Sequence, residues 1–256
     1  IIAFSIALVI NFVSYWFSDK IVLAIYGAKE LKYNESPNIH KLVEELTFKA
    51  KLPKPRIFLI PLGIPNAFAT GRNKNNAVIG LTAGILEYLN KEELKGVIAH
   101  ELSHIKNKDI LISAIAATLA GAITILGRIE YFASFLIPSK DRNNSTGILL
   151  SNLLLIVVTP IIALLIKMAI SRSREYLADK DATDVCRDPV GLASALKKLN
   201  AYSLSHPLIG DYSNQITSHL FIVNPFKTGF VTNLFSTHPP IEDRIKRLNQ
   251  LKNQRE

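Results

Sequence analysis

The sequence contains a single cysteine, Cys186, and this scarcity excludes a scaffold held together by disulfide bonds. Acidic residues are also scarce, since 21 Asp and Glu stand against 30 Lys and Arg and leave a net charge of +9. The chain is also not dominated by polar residues. Of its 256 residues 48% are hydrophobic, which excludes intrinsic disorder. With 256 residues, the chain is long enough for one large or two modest folded domains.

An apolar excess combined with a basic charge fits two classes of protein. One is a soluble nucleic-acid-binding protein, and the other is a membrane protein with basic loops on the cytoplasmic side. A nucleic-acid-binding surface should gather its basic residues in a stripe with interleaved aromatic residues. Here the basic residues are spread over both large polar segments, so we predict no nucleic-acid partner.

Three blocks of the sequence carry no charged residue: residues 1–17, 110–127 and 147–166. A membrane-spanning helix needs about 17–25 mostly apolar residues, and the second and third blocks meet that length. The first block starts at Ile1 without Met or a basic flank, so it is not a good signal peptide. We predict that residues 1–17 are the end of a transmembrane helix that begins in a longer chain.

The basic residues predict the orientation of these blocks. Fourteen of them lie in residues 18–109 and 13 in residues 167–256, so both large polar segments are predicted to face the cytoplasm. Residues 110–170 then form a transmembrane hairpin, and residues 18–109 and 171–256 build one cytoplasmic domain. The prediction is a multi-pass protein of the plasma membrane, in contact with membrane lipids.

The polar segments predict an α+β fold that is mainly α and includes a small β-sheet. The predicted strands are Arg56–Ile60, Asn66–Gly71 and Ala77–Leu81, and the predicted helices cover 38–50, 83–89 and roughly 91–105. The last of these helices has a strong start signal, because Asn90 can cap it and Glu93 can reach back to the cap amide.

The chemistry-bearing motif lies on that last helix, as His100-Glu101-Leu102-Ser103-His104. Residues at i and i+4 share one helix face, so both imidazoles can bind one metal ion. Neutral imidazole suits zinc, and Glu101 can take a proton from water at the metal. The motif predicts one Zn²⁺ per chain, with Glu101 as general base.

A third zinc ligand has to come from elsewhere in the sequence. A metzincin would place a histidine six residues after His104, but that residue is Ile110. Glu130 would lie near the far end of the first helix of the predicted transmembrane hairpin, on the wrong side of the membrane. Glu175 follows the third apolar block, so two crossings return it to the side of His104, where it completes a site with an open position for water. Asp179, one turn further, can accept a hydrogen bond from a ligating imidazole.

Together these segments resemble the HtpX-type membrane zinc endopeptidases, which are relatives of the CAAX prenyl proteases. The resemblance is carried by Val-Ile-Ala-His-Glu-Leu-Ser-His-Ile at 97–105 and Ser-Arg-Ser-Arg-Glu-Tyr-Leu-Ala-Asp at 171–179, with two hydrophobic spans between them. Residues 17–23 and 236–245 resemble the same family. It implies a membrane-anchored, gluzincin-like metalloprotease domain that degrades misfolded or damaged membrane proteins in quality control.

The resemblance also implies roles for individual residues. The zinc ligands fall on His100, His104 and Glu175, and the general base falls on Glu101. The family's His-Pro motif, with an arginine six residues after the histidine, maps onto His238 and Arg244. These two would assist the tetrahedral intermediate or hold the site together.

The family's substrate-side asparagine maps onto Asn66, at the start of Asn66-Ala67-Phe68-Ala69. A strand of small residues with a free edge can pair with an extended substrate, although an ordinary structural strand would have the same sequence. The residues alone favour a helix cap for His238 and a surface ion pair for Arg244. His40, His206 and His219 have no partner at ligand spacing, and we predict surface or structural roles for them.

The predicted function is zinc-dependent endopeptidase activity on unfolded or membrane proteins. One alternative is an intramembrane protease of the site-two type, but lysines flank the motif and argue for a site near the membrane surface: Lys91, Lys95, Lys106 and Lys108. Another alternative is a non-enzymatic membrane scaffold with a structural zinc. Such a site has four protein ligands and normally uses cysteines, and Cys186 is far from the motif.

Overall fold

A computed structural model describes residues 8–9, 12–13, 15–121, 145–206, 222 and 239–254, without the side chains of 145–157 and 159. Most of the predicted span 1–17, the turn of the predicted hairpin, His219 and His238 lie outside these residues. The described part is mainly helical and contains a small mixed sheet, as the sequence predicted.

The helices and strands have the following bounds. The helices are α1 (Ser18–Ile25), α2 (Pro37–Ala50), α3 (Ala83–Tyr88), α4 (Lys91–Lys106), α5 (Ser145–Cys186), α6 (Pro189–Ser205) and α7 (Ile241–Asn253). Residues 109–121 are helical as well. The strands are β1 (Lys29–Glu30), β2 (Arg56–Ile60), β3 (Ala67–Thr70) and β4 (Val78–Thr82).

The sheet has the strand order β1-β2-β4-β3. Strands β2 and β4 are parallel, whereas β3 pairs antiparallel with β4 and β1 pairs antiparallel with β2. The three predicted strands are confirmed. The two-residue strand β1 was missed because Lys29 and Glu30 are charged and show no apolar alternation. Strand β3 lies at the edge of the sheet, beside α4.

Helix α4 begins with the predicted capping box. The Asn90 side chain accepts from the Glu93 amide at 2.9 Å, and the Glu93 carboxylate accepts from the Asn90 amide at 2.9 Å. The helix runs to Lys106, one residue past its expected end. Two otherwise unsatisfied amides at the helix start are thereby bonded within four residues of sequence.

Helix α4 is the centre of the domain. Its apolar side chains are fully buried, among them Val97, Ile98 and Leu102. It packs closely against α6 at Gly96. A Cβ atom at this position would lie only 2.6 Å from the Leu192 amide nitrogen. Polar side chains on the same helix, including His100 and Glu101, are also buried, and that burial has a cost unless they are paired.

Helix α5 is continuous over 42 residues and contains Pro160. It joins the third apolar block to Glu175 and Asp179, as the sequence predicted. No stretch of helix among the described residues combines the length and apolar character needed to cross a membrane. The transmembrane hairpin at 110–170 therefore stays a prediction, as do the domain boundaries.

Candidate metal centre

Two helices bring the three predicted ligands together. The Nε2 atoms of His100 and His104, on α4, lie 3.1 Å apart. The Glu175 carboxylate, on α5, comes within 3.5 Å of the His100 Nε2 atom and 3.6 Å of the His104 Nε2 atom. Ligands about 2.0–2.2 Å from a tetrahedral zinc ion are about 3.3 Å from one another, so the three groups fit such an ion.

The hydrogen bonds of the two imidazoles fix which nitrogen faces the centre. The Nδ1 atom of His100 lies 3.0 Å from Asp179, and the Nδ1 atom of His104 lies 2.6 Å from Asp109. A carboxylate only accepts hydrogen bonds, so each Nδ1 carries the proton and donates. In the neutral rings both Nε2 lone pairs then converge with the Glu175 carboxylate. Such a set of acceptors is stabilised by a cation at its centre.

The electrostatics of His100 agree with this need for positive charge. Burial lowers the pKa of His100, but hydrogen bonds to Asp179 and Glu175 outweigh it and raise the pKa to about 9. The site thus stabilises positive charge at this imidazole, which a proton or a metal ion can supply. A metal ion has to displace the proton, because the ligating nitrogen needs its lone pair.

Glu101 lies next to the ligands but in a different environment. A carboxylate oxygen of Glu101 and the two imidazole nitrogens all lie within 4.8 Å of one another, so Glu101 also borders the point where the histidines meet Glu175. The side chain is buried, and burial raises the pKa of Glu101. The Ala69 backbone N–H of β3 donates to it. A raised pKa suits a carboxylate that takes up and releases a proton during a reaction.

Arg244 corrects one expectation from the residues alone. It does not form a surface ion pair, because α7 packs on α5 and buries its side chain completely. Its guanidinium donates two hydrogen bonds to Asp179, at 2.7 and 2.8 Å, and lies 3.3 Å from Glu175. Burial opposes ionisation of Asp179, but Arg244 outweighs it and lowers the pKa of Asp179 to about 2.

Two further residues at the centre escaped the sequence reasoning. Asp109 is buried and accepts from His104, and its other oxygen accepts from Arg174. Asp109 lies five residues after His104, so helical spacing does not predict the contact. The chain leaves the helix at Lys108, whose φ of 56° is left-handed, and this turn brings Asp109 back to the histidine. A polar Asn107-Lys108 pair at the helix end is the signal that could have indicated the turn.

The predicted substrate strand lies beside Glu101. Ala67, Phe68 and Ala69 belong to β3, whereas Asn66 precedes it. Asn66 is buried, and its side-chain oxygen accepts from the Ile222 amide at 3.1 Å. Among the described residues β3 pairs only with β4, so it is an edge strand of the sheet.

The remaining candidates have the surface or structural roles that the sequence predicted, as far as the structure describes them. His40 is buried, and its Nε2 atom lies 2.8 Å from the Leu31 carbonyl oxygen, which is a structural contact. His206 is exposed at the end of α6. Burial raises the pKa of the Cys186 thiol to about 12, which makes the thiol unreactive at neutral pH.

A mainly helical domain with an edge strand beside a His-Glu-x-x-His helix is the arrangement of a metallopeptidase. Residues 34–252 match Peptidase family M48. The chain is 51% identical to the Protease HtpX homolog of Persephonella marina, over 98% of this chain and 87% of that protein. It is 49% identical to the Protease HtpX homolog of Pyrococcus furiosus, over 98% of this chain and 86% of that protein.

The fold is also similar to the crystal structure of S. mikatae Ste24p. The TM-score is 0.66 at 19% sequence identity, and the match covers 96% of this chain and 57% of that chain. The chain belongs to peptidase family M48. The resemblance inferred from the sequence is thereby confirmed, and with it the predicted class, a membrane-bound metalloprotease.

Proposed function

We propose that this chain is a zinc-dependent endopeptidase that hydrolyses peptide bonds of misfolded or damaged membrane proteins. His100, His104 and Glu175 would hold one Zn²⁺, and Glu101 would be the general base. The observation that carries the proposal is the convergence of two imidazole lone pairs and one carboxylate, 3.1 to 3.6 Å apart, in a buried site. This donor set of two histidines and one glutamate leaves a fourth position open, as catalytic zinc sites do.

Each polar residue then has a defined task. A bound zinc ion would polarise the substrate carbonyl and make water more acidic. Glu101 accepts the proton of the attacking water and delivers it to the leaving amine, a role that its burial and raised pKa support. Asp179 orients His100 and is itself held by Arg244. We assign His238 to the stabilisation of the oxyanion, and Arg244 to holding the site together.

The open edge of β3 is the proposed binding site for the substrate. An extended peptide can add to this edge through main-chain hydrogen bonds, which tolerate many side chains. Asn66, Ala67, Phe68 and Ala69 would form that subsite. Its position is favourable because the Ala69 N–H donates to Glu101, so a peptide on this edge passes beside the general base.

We further propose that the chain is a multi-pass protein of the plasma membrane with its catalytic domain in the cytoplasm. The uncharged blocks and the distribution of the basic residues support this placement. Apolar side chains on the first half of α5 are exposed, including Ile161, Leu165 and Ile166, as expected for contact with lipid. The domains would be 1–17, 18–109, 110–170 and 171–256, as the sequence predicted.

The test measures zinc content and degradation of an unfolded protein by the purified chain in detergent. We expect one zinc ion per chain and hydrolysis for the wild type. Glu101→Ala should keep zinc and lose about 10²–10⁴-fold in rate, because it lacks the general base. Glu175→Ala should lose both zinc and hydrolysis. Glu92→Ala is the matched control, since this glutamate is exposed at the start of the same helix.

The outcomes separate the competing functions. Zinc bound without hydrolysis of any unfolded protein would favour a structural metal site. Full activity of Glu101→Ala would refute the assigned general base. A reporter cut only when its cleavage site is embedded in the membrane would favour the intramembrane alternative, whereas we expect a site outside the membrane to be cut.

A further inference from the structure

We propose that Asp109 and Arg174 are positioning residues of the metal centre. Asp109 holds the imidazole of His104 in its ligating orientation, and Arg174 holds Asp109. The inference rests on the proposed zinc site, and the experiment below distinguishes its failure from a failure of that site. Neither residue is a proposed zinc ligand or the proposed base, and Asp109 is the one that contacts His104.

The contacts of Asp109 divide between its two oxygens. One oxygen lies 2.6 Å from the His104 Nδ1 atom, and the other accepts from the guanidinium of Arg174. The carboxylate is buried, so the competition from water that weakens an exposed hydrogen bond is small. If Asp109 served only to close the turn after α4, its contact with Arg174 would be sufficient. The second oxygen points at the ligand.

The other histidine shows the same arrangement built from different parts of the chain. The His100 Nδ1 atom lies 3.0 Å from Asp179, and Asp179 accepts two hydrogen bonds from Arg244. Each ligating imidazole therefore donates to an aspartate, and each aspartate is bound by an arginine. Partners of this kind fix the tautomer and orientation of a ligating histidine and raise its basicity.

Arg174 also ties the two ligand-bearing helices together. Its Nη2 atom donates to the Asn107 carbonyl, at the end of α4, at 2.8 Å. In the sequence of α5 it immediately precedes the ligand Glu175. One side chain thus connects the end of the helix that carries both histidines with the turn that carries the third ligand. A shift of α5 along α4 would move Asp109, and with it the imidazole of His104.

A nearby carboxylate provides a matched control. Asp181 accepts from the Asn107 side chain at 2.8 Å and lies 3.8 Å from Lys106, so it contacts the same turn. Neither of these contacts involves a histidine. Asp181→Asn removes a charge from the turn without touching the ligands, whereas Asp109→Asn removes the charge that His104 contacts.

The experiment measures the affinity of the metal-stripped full chain in detergent for Zn²⁺, by chelator competition, and the visible absorption spectrum of its Co²⁺ form. We expect Asp109→Asn to weaken zinc binding by about 10–100-fold and to change the cobalt spectrum, because the ligand field at His104 changes. Arg174→Gln should weaken binding less. The part of its effect that passes through Asp109 should vanish when Asp109 is already Asn, so the double variant should lose less affinity than the two single losses combined. Asp181→Asn should bind within about twofold of the wild type.

The contradicting results are specific. Unchanged zinc affinity and cobalt spectrum in Asp109→Asn would overturn the proposal, and so would equal losses in Asp109→Asn and Asp181→Asn. Thermal unfolding without metal shows whether Asp109→Asn folds. If it does not, the double variant Asp109→Asn/Arg174→Gln, which leaves no unpaired charge, should show the same affinity loss, and wild-type affinity there would overturn the proposal. A wild type that binds no metal would refute the zinc site itself.

Discussion

Helix α4 carries buried carboxylate contacts at both of its ends, and the two sets differ in the groups that they bring together. At the first end, Glu93 is 3% exposed, and its carboxylate accepts from the Asn90 amide, from Ser194 at 2.7 Å and from Lys198 at 2.8 Å. Every one of these partners is a donor. The cluster is complete within the protein, and it joins the start of α4 to α6.

Around the histidines, three groups that can bind a metal ion lie close together. Asp179 accepts from Arg244 and Asp109 accepts from Arg174, and the two Nε2 atoms and Glu175 face one another at 3.1 to 3.6 Å. At the Glu93 cluster every contact pairs a donor with an acceptor, whereas two imidazole nitrogens and a carboxylate that face one point are the ligand set of a catalytic zinc site. These contacts favour a role in the fold for the Glu93 cluster and the proposed metal site for the histidine cluster.

The largest expected effect comes from Arg244. Arg244→Ala leaves Asp179 buried without its counter-ion, so we expect a loss of about 3–5 kcal/mol in the free energy of unfolding, together with loss of metal binding. Arg244→Lys keeps the charge but not the paired geometry and should recover only part of both. Thermal unfolding in detergent and zinc titration measure the two effects.

Arg247→Ala is the control for Arg244, because Arg247 lies one turn along α7 and packs over the Tyr176 ring at the surface. We expect its metal affinity to match the wild type. An Arg244→Ala protein as stable and as metal-competent as Arg247→Ala would show that the buried pair does not hold the site.

The second prediction separates stability from metal binding. Glu93→Ala removes a carboxylate that bonds three donors, so we expect a loss of about 1–3 kcal/mol in the free energy of unfolding. Zinc affinity and the activity per folded molecule should stay at wild-type values. A tenfold loss of zinc affinity in Glu93→Ala would erase the proposed difference between the two clusters.

The third prediction concerns pH. Because the pKa of His100 is about 9 without metal, this imidazole is protonated at pH 7 and must release its proton when zinc binds. Zinc affinity should therefore rise by about tenfold, or 1.4 kcal/mol, per pH unit from this group, up to about pH 9. Calorimetry in buffers of different ionisation enthalpy measures the released protons. Zinc binding that releases no proton at pH 7 would contradict the described state of His100.

The smallest effect belongs to the helix cap. Asn90→Ala removes the acceptor for the Glu93 amide and should cost about 1 kcal/mol of stability, with no change in zinc affinity. Asn90→Asp keeps an acceptor and should be close to the wild type. Equal melting temperatures for Asn90→Ala and the wild type would mean that tertiary packing alone holds this helix end.

The two clusters also differ in how well the sequence predicts them. The pairing of Asn90 with Glu93 spans three residues and has a known spacing, so the cap was predicted and is confirmed. Ser194 and Lys198 come from another helix, and no local spacing connects them with Glu93. At the metal centre, the histidine pair follows from one helical turn, and Glu175 follows from the expected return of the chain.

The burial of Arg244 and the contact of Asp109 with His104 could not be predicted from spacing. An arginine on an amphipathic, charged helix resembles a surface residue, and the packing of α7 against α5 and α6 buries it. The return of Asp109 depends on a left-handed backbone turn at Lys108, a residue type with no special preference for that conformation. Residues whose role depends on contacts between distant segments are the ones that sequence patterns miss.

The most direct measurement is a zinc titration of the metal-stripped chain, with hydrolysis of an unfolded protein followed at each addition. We predict no hydrolysis without zinc, a linear increase with added zinc, and a maximum at one equivalent per chain. The double variant His100→Ala/His104→Ala should stay inactive at every zinc concentration. Full hydrolysis by the stripped wild type, or restored hydrolysis by the double variant, would contradict a catalytic metal centre built from His100, His104 and Glu175.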